Sequence, residues 1–119
     1  MRIRLFLAVV GSALILTAAP EAKTVTVKGY VIDSACTFTK NLKKPISEQC
    51  AQACAKAGSP MVILGDDGSM YWPTTDAMPA TSQNEKLMPF AGKRVTVSGR
   101  LYERGGSKAL IIEKIEAGK

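Results

Sequence analysis

Along Thr24–Asp33 (TVTVKGYVID) apolar and polar side chains alternate, placing Val25, Val27 and Val31 on one face. A period of two predicts a strand with one side in the core and the other toward solvent. Arg94–Arg104 repeats the pattern, with Val95, Val97 and Leu101 in phase. Each strand carries a glycine at the same place, Gly29 and Gly99, and a glycine inside a strand marks a bulge or a tight bend. Met61–Leu64 predicts a short apolar strand, Gly65-Asp66-Asp67-Gly68 a turn, and Ser69–Trp72 the returning strand of a hairpin. Arg104-Gly105-Gly106-Ser107 turns the chain into a fifth strand over 108–116, whose alternation runs through Ala109, Ile111 and Ile115.

Two helices interrupt the strands. Ser47 caps a helix over Glu48–Ala57, Gly58 stops it and Pro60 prevents its continuation. Ser82-Gln83-Asn84-Glu85 reads as a capping box that opens a short helical turn through Met88. That turn falls within the long connection from Pro73 to Gly92, where some local structure is expected, and 73–81 is read as an irregular loop.

The order strand, helix, strand, strand, short helix, strand, strand resembles the OB-fold, a mainly β, five-stranded barrel with a helix between its third and fourth strands. The resemblance spans 24–116. It rests on that order, on the Gly29 and Gly99 bends and on GKRVTVSGRLYERGGSKALIIEKI. Here an additional, cysteine-bearing helix stands between strands one and two. The whole chain also resembles a set of small, uncharacterised bacterial secreted proteins outlined by GYVIDSAC, then CAQACAKAGSP, then ILGDDGSMYW and a closing hairpin. Some of these have a histidine near the Cys-rich helix. This chain has none, which removes an imidazole ligand from any metal site. The resemblance implies an exported OB-like domain and carries no activity with it.

The length of 119 residues fits one domain. Arg2 and Arg4 precede an apolar run from Leu5 to Ala19, too short for the roughly 20 residues of a membrane span. Residues 1–22 are therefore read as a signal peptide cut after Ala19 or Ala22. The mature chain, 23–119, is a single domain, periplasmic or secreted, with no membrane span after cleavage. The formal net charge is +6. An exported basic domain meets envelope polyanions before nucleic acid, and Lys43, Lys44, Lys93, Arg94 and Arg100 are the candidate contacts. Tyr30, Tyr71, Trp72 and Tyr102 would be the stacking surface that OB-folds offer to nucleic acid or sugar.

The absence of histidine excludes a His-based triad and a His acid or base. Ser34 and Ser47 have no base, Glu48, Glu85 and Glu103 have no partner, and Asp66-Asp67-Gly68 lacks the ligand spacing of a calcium loop. No catalytic constellation is found.

The chemistry-bearing residues are the three cysteines. Cys36 is read as ending the first strand, and Cys50 and Cys54 as sharing a helix face with Ala53 and Ala57. Helix neighbours four apart have Cβ atoms about 5–6 Å apart against the roughly 3.8 Å of a disulfide, so a Cys50–Cys54 bridge is disfavoured. In an oxidising compartment the expected bridge is Cys36–Cys54, contributing on the order of 3 kcal/mol. Cys50, in the first helical turn where the dipole favours a thiolate, is then left over. Alternatively all three stay reduced and converge on a soft ion, Cu(I) or Zn(II), with Met61, Met70, Met78 and Met88 as candidate thioether ligands. The spacing C-x13-C-x3-C matches no standard zinc motif.

The sequence thus points first to an exported, non-enzymatic binding or accessory module without a cofactor, stabilised by a disulfide, whose partner is a small ligand, a protein or an envelope polyanion. Its two alternatives are a periplasmic thiol redox or soft-metal handling protein and a polyanion-binding domain.

Overall fold

In the computed structural model the described residues are 13–15, 21–40, 42 and 46–118. Most of the expected signal peptide, and with it the Ala19 cleavage position, lies outside them, as do Lys43 and Lys44. Among the described residues no helix is long and apolar enough to cross a membrane.

The first and fourth strands fold as read. β1 (Lys23–Asp33) and β4 (Arg94–Arg104) lie antiparallel, with Val27 opposite Val97 and Gly29 opposite Val95. Val27, Val31, Val95, Val97 and Leu101 are all buried, and the polar positions between them are half-buried or exposed. β2 (Met61–Gly65) pairs with the end of β1 and with β3 (Met70–Thr74) across the Asp66–Ser69 turn. β5 (Ser107–Ala117) returns along β4 and meets β3 in parallel, which closes the sheet into a barrel in the order β1-β2-β3-β5-β4. The protein is mainly β, with a closed five-stranded barrel.

The fifth strand departs from its predicted face. Leu110 and Ile112 are buried, while Ala109 and Ile111 are only partly so. A register shift at Ser98/Gly99 explains this: Leu110 pairs with Leu101 and Ile112 with Gly99, but beyond the shift Lys114 pairs with Ser98 and Ile115 with Val97. One extra residue on β5 changes its phase, as a β-bulge does. Ile115 thereby reaches the core from an odd-numbered position after Leu110 and Ile112 have reached it from even ones. Strict alternation cannot foresee that.

Among the described residues three short helices dress the barrel: α1 (Ser34–Thr39), α2 (Glu48–Lys56) and α3 (Asn84–Leu87), the last continued by a 3-10 turn at Met88–Phe90. The first corrects the sequence reading, since Cys36 does not end the strand but sits in this helix. α2 is capped by Ser47 as expected, its Oγ accepting from the Cys50 N–H at 3.2 Å. At α3 the reciprocal capping box is not formed: Ser82 Oγ accepts from Asn84 N–H at 3.3 Å, and Asn84 has a different task.

A second, smaller cluster lies on the outside of β1, β2 and β3. Ile32, Ile46 and Val62 are buried there, with Tyr30, Cys36, Leu42, Leu64, Met70 and Trp72 against them. Because α1 and the Leu42 and Ile46 positions cover this face, the end of β1 is buried on both sides.

Gly29 and Gly99 are close-approach positions. A Cβ on Gly99 would run into the Ile111 carbonyl oxygen, and one on Gly29 into the Leu64 carbonyl oxygen. Both obstacles are backbone, which cannot yield as a side chain does. Gly99→Val is therefore expected to destabilise the protein by about 2 kcal/mol or more through overpacking. Ser98→Ala is expected to leave it nearly unchanged, and thermal unfolding of the two variants checks this; equal midpoints would contradict the close approach at Gly99.

Candidate metal centre

The three sulfur atoms come from two helices that the barrel holds side by side. Asp33, the last residue of β1, caps α1: its Oδ2 accepts from the Cys36 backbone N–H at 2.9 Å. Thr37 Oγ1 donates back to the Asp33 carbonyl at 2.8 Å, and Ser34 N–H donates to the Pro60 carbonyl at 2.8 Å. The Cys36 position is thus tied both to the end of β1 and to the start of β2.

α2 is held at both ends. Its N-terminus lies against Gly92, where a Cβ would meet the Glu48 backbone. At its C-terminus Asn84 reaches over from α3: Nδ2 donates to the carbonyls of Ser59 at 2.9 Å and Ala55 at 3.4 Å, and Oδ1 accepts from Met61 N–H at 2.8 Å. One side chain therefore joins α3, the end of α2 and the start of β2. The buried residues of α2 are Ala51 and Ala55, not the expected stripe of Cys50, Ala53, Cys54 and Ala57. The two alanines pack on the barrel core, and small side chains there let the helix come close. This rotation leaves Cys54 half-buried and Cys50 exposed, turned toward Cys36.

The result is a cluster: the Sγ atoms of Cys36, Cys50 and Cys54 all lie within 4.8 Å of one another. All three are free thiols, so the Cys36–Cys54 bridge is not formed in this structure. Burial pushes the Cys36 thiol up to about 12, with a hydrogen bond to Asp33 and the Asp33 charge adding to the shift. Cys54 is raised too, first by burial and then by the Asp33 charge, with the Cys36 thiol acting in the opposite direction. At neutral pH these two are thiols rather than thiolates.

The other sequence candidates do not join the cluster. Met61 is buried in the barrel core, Met88 packs against that core, Met70 lies in the outer cluster and Met78 is exposed. Tyr71 packs against the barrel core, apart from Tyr30 and Trp72 in the outer cluster, while Tyr102 and Trp72 both pair with Ala109 of β5. Trp72 instead meets Phe38 of α1, with ring centroids 6.3 Å apart, beside a shallow groove completed by Met70 and Lys108. Of the candidate polyanion contacts, Arg94 is engaged with both oxygens of Asp66, and Arg100 with Asp76 at 2.9 Å and Glu113 at 3.0 Å. Lys93 is exposed. Sequence reasoning missed Asp33 and Asn84. For Asp33 a signal was present, since Asp followed by Ser-Ala is a good helix start.

Compared with protein-family models, curated proteins and solved structures, the chain matches none.

The order of thiol reactivity follows from this geometry, because the thiolate is the nucleophile. In reduced protein at about pH 8, Cys50 is expected to be alkylated first and Cys36 last, with the Cys36 rate still rising above about pH 10. Mass mapping of partly alkylated protein reads this, and Cys36 reacting first would contradict the burial and Asp33 contact described above.

Proposed function

We propose that the protein is an exported, OB-like barrel that binds a soft metal ion, Cu(I) or Zn(II), through Cys36, Cys50 and Cys54. The observation that carries this reading is the convergence of three sulfurs within 4.8 Å. Sulfurs bound to one ion at about 2.3 Å stand roughly 4 Å apart, so the cluster needs to close only slightly. Thiolates select Cu(I) and Zn(II) over harder ions. The OB-like assignment is supported by the closing parallel β3–β5 pair and by the position of α3 between β3 and β4. Export is supported by the apolar run behind Arg2 and Arg4.

The second reading is the disulfide-stabilised binding module. It draws on the same proximity, which lets Cys36 and Cys54 join when oxidised and leaves Cys50 free. Polyanion binding is less favoured, since Arg94 and Arg100 already meet carboxylates.

Titration of the reduced protein with Zn(II), and anaerobically with Cu(I), against a chelator is expected to show one ion per chain. Replacing any one of the three cysteines by serine is expected to weaken binding on the order of tenfold or more, because a ligand is lost. Since Cys36 and Cys54 hold their protons to high pH, binding must displace them. Apparent affinity is therefore expected to rise between about pH 6 and pH 8, the metal competing less with protons as pH increases. Trp72, the single tryptophan, packs in the same outer cluster as Cys36 and provides a fluorescence signal. A wild-type chain that retains no ion, or a triple serine variant that binds as well, would overturn the reading.

A further inference from the structure

Asp33 is fully buried, and only one of its oxygens is hydrogen-bonded. Oδ2 accepts from the Cys36 N–H and, at 3.4 Å, from Ser59 Oγ, and the carboxylate also receives the Cys36 thiol, while Oδ1 is buried without a hydrogen-bond partner. Among the described residues no lysine or arginine forms an ion pair with it. A buried charge left without a counter-charge is costly and calls for a reason. The cap on α1 needs one oxygen, and a neutral asparagine or serine would serve it as well. What sets an aspartate apart at this place is its negative charge beside the cysteine cluster.

We propose that Asp33 sets the class of ion the three-cysteine site takes, favouring a divalent thiophilic cation of the zinc type over monovalent Cu(I). This rests on the reading of the cluster as a metal site. Three thiolates carry a charge of about −3, and the carboxylate, whose charge already acts on Cys36 and Cys54, adds one more beside them. A divalent cation offsets twice as much of that charge as a monovalent one, so the added carboxylate favours the divalent ion more. The hydrogen bond from the Cys36 N–H to Oδ2 fixes the carboxylate over the N-terminus of α1, away from solvent. The open lone pairs of Oδ1 stay directed into protein rather than water. Asp33 acts through the charge of the site and through the placement of Cys36, as a positioning residue.

The test is chelator competition for Zn(II) and, anaerobically, for Cu(I), on the reduced wild type and on Asp33→Asn and Asp33→Ser. Both replacements keep an acceptor for the Cys36 N–H. The ratio of zinc to copper affinity is expected to fall by about tenfold or more in either variant, the size of one charge contact at an intermediate dielectric. A merely structural role would lower both affinities together, so an unchanged ratio overturns the proposal whether or not the individual affinities change. If neither variant folds by circular dichroism, the carboxyl carbon resonance of Asp33 in 13C-labelled wild type decides. Saturation with Zn(II) is expected to move it further than saturation with Cu(I), and equal shifts overturn the proposal. Failure of the wild type to bind either ion would instead refute the metal site itself, and is recognised by that.

Discussion

The buried carboxylate of Asp33 is the constraint on which the rest of the candidate site depends. It stands where β1 stops being a strand, opposite Met61 in the sheet, and it turns the chain at once into α1. Its Oδ2 satisfies the Cys36 N–H and approaches Ser59, so one group links the end of β1, the first turn of α1 and the connection that leads into β2. Desolvating a carboxylate costs several kcal/mol unless it is hydrogen-bonded and paired. The fold bears this cost with only one of the two oxygens hydrogen-bonded. The same carboxylate helps to hold Cys36 and Cys54 in their protonated form.

Around that point the barrel works as a frame. Its closure places β1 and β2 side by side, and the short helices between them bring their cysteine sulfurs together. Asn84 supplies the matching anchor from the other side, fastening the end of α2 and the start of β2 to α3 with three hydrogen bonds. Ala51 and Ala55 let α2 settle closely on the core, and that rotation turns its cysteines toward α1. Neither helix is long enough to be stable alone. Their positions, and so the distances between the sulfurs, are set by the frame and its polar anchors.

Much of the frame was legible because it obeys simple periods. The valines of β1 and β4, the hairpin at Asp66-Asp67 and the Ser47 cap follow from local chemistry, and the Gly29 and Gly99 positions have the tight backbone approach that a mid-strand glycine suggests. Legibility failed where a non-local event intervened. The inward face of β5 was misread because the bulge opposite Ser98 and Gly99 shifts its phase. The buried face of α2 was misassigned because Cys and Ala are both small enough to be buried, and only the neighbouring barrel decides between them. α1 was missed because the strand pattern runs unbroken up to Asp33, whose capping role depends on the turn beyond it. The cysteines were recognised as the chemistry-bearing residues, but their convergence is a product of tertiary packing.

The central claim is that three sulfurs from α1 and α2 bind a single ion. X-ray absorption at the metal edge of the zinc-loaded, reduced protein measures this directly. The account predicts three sulfur scatterers at about 2.3 Å. A first shell with one sulfur or none, or zinc surrounded only by oxygen and nitrogen, would contradict it.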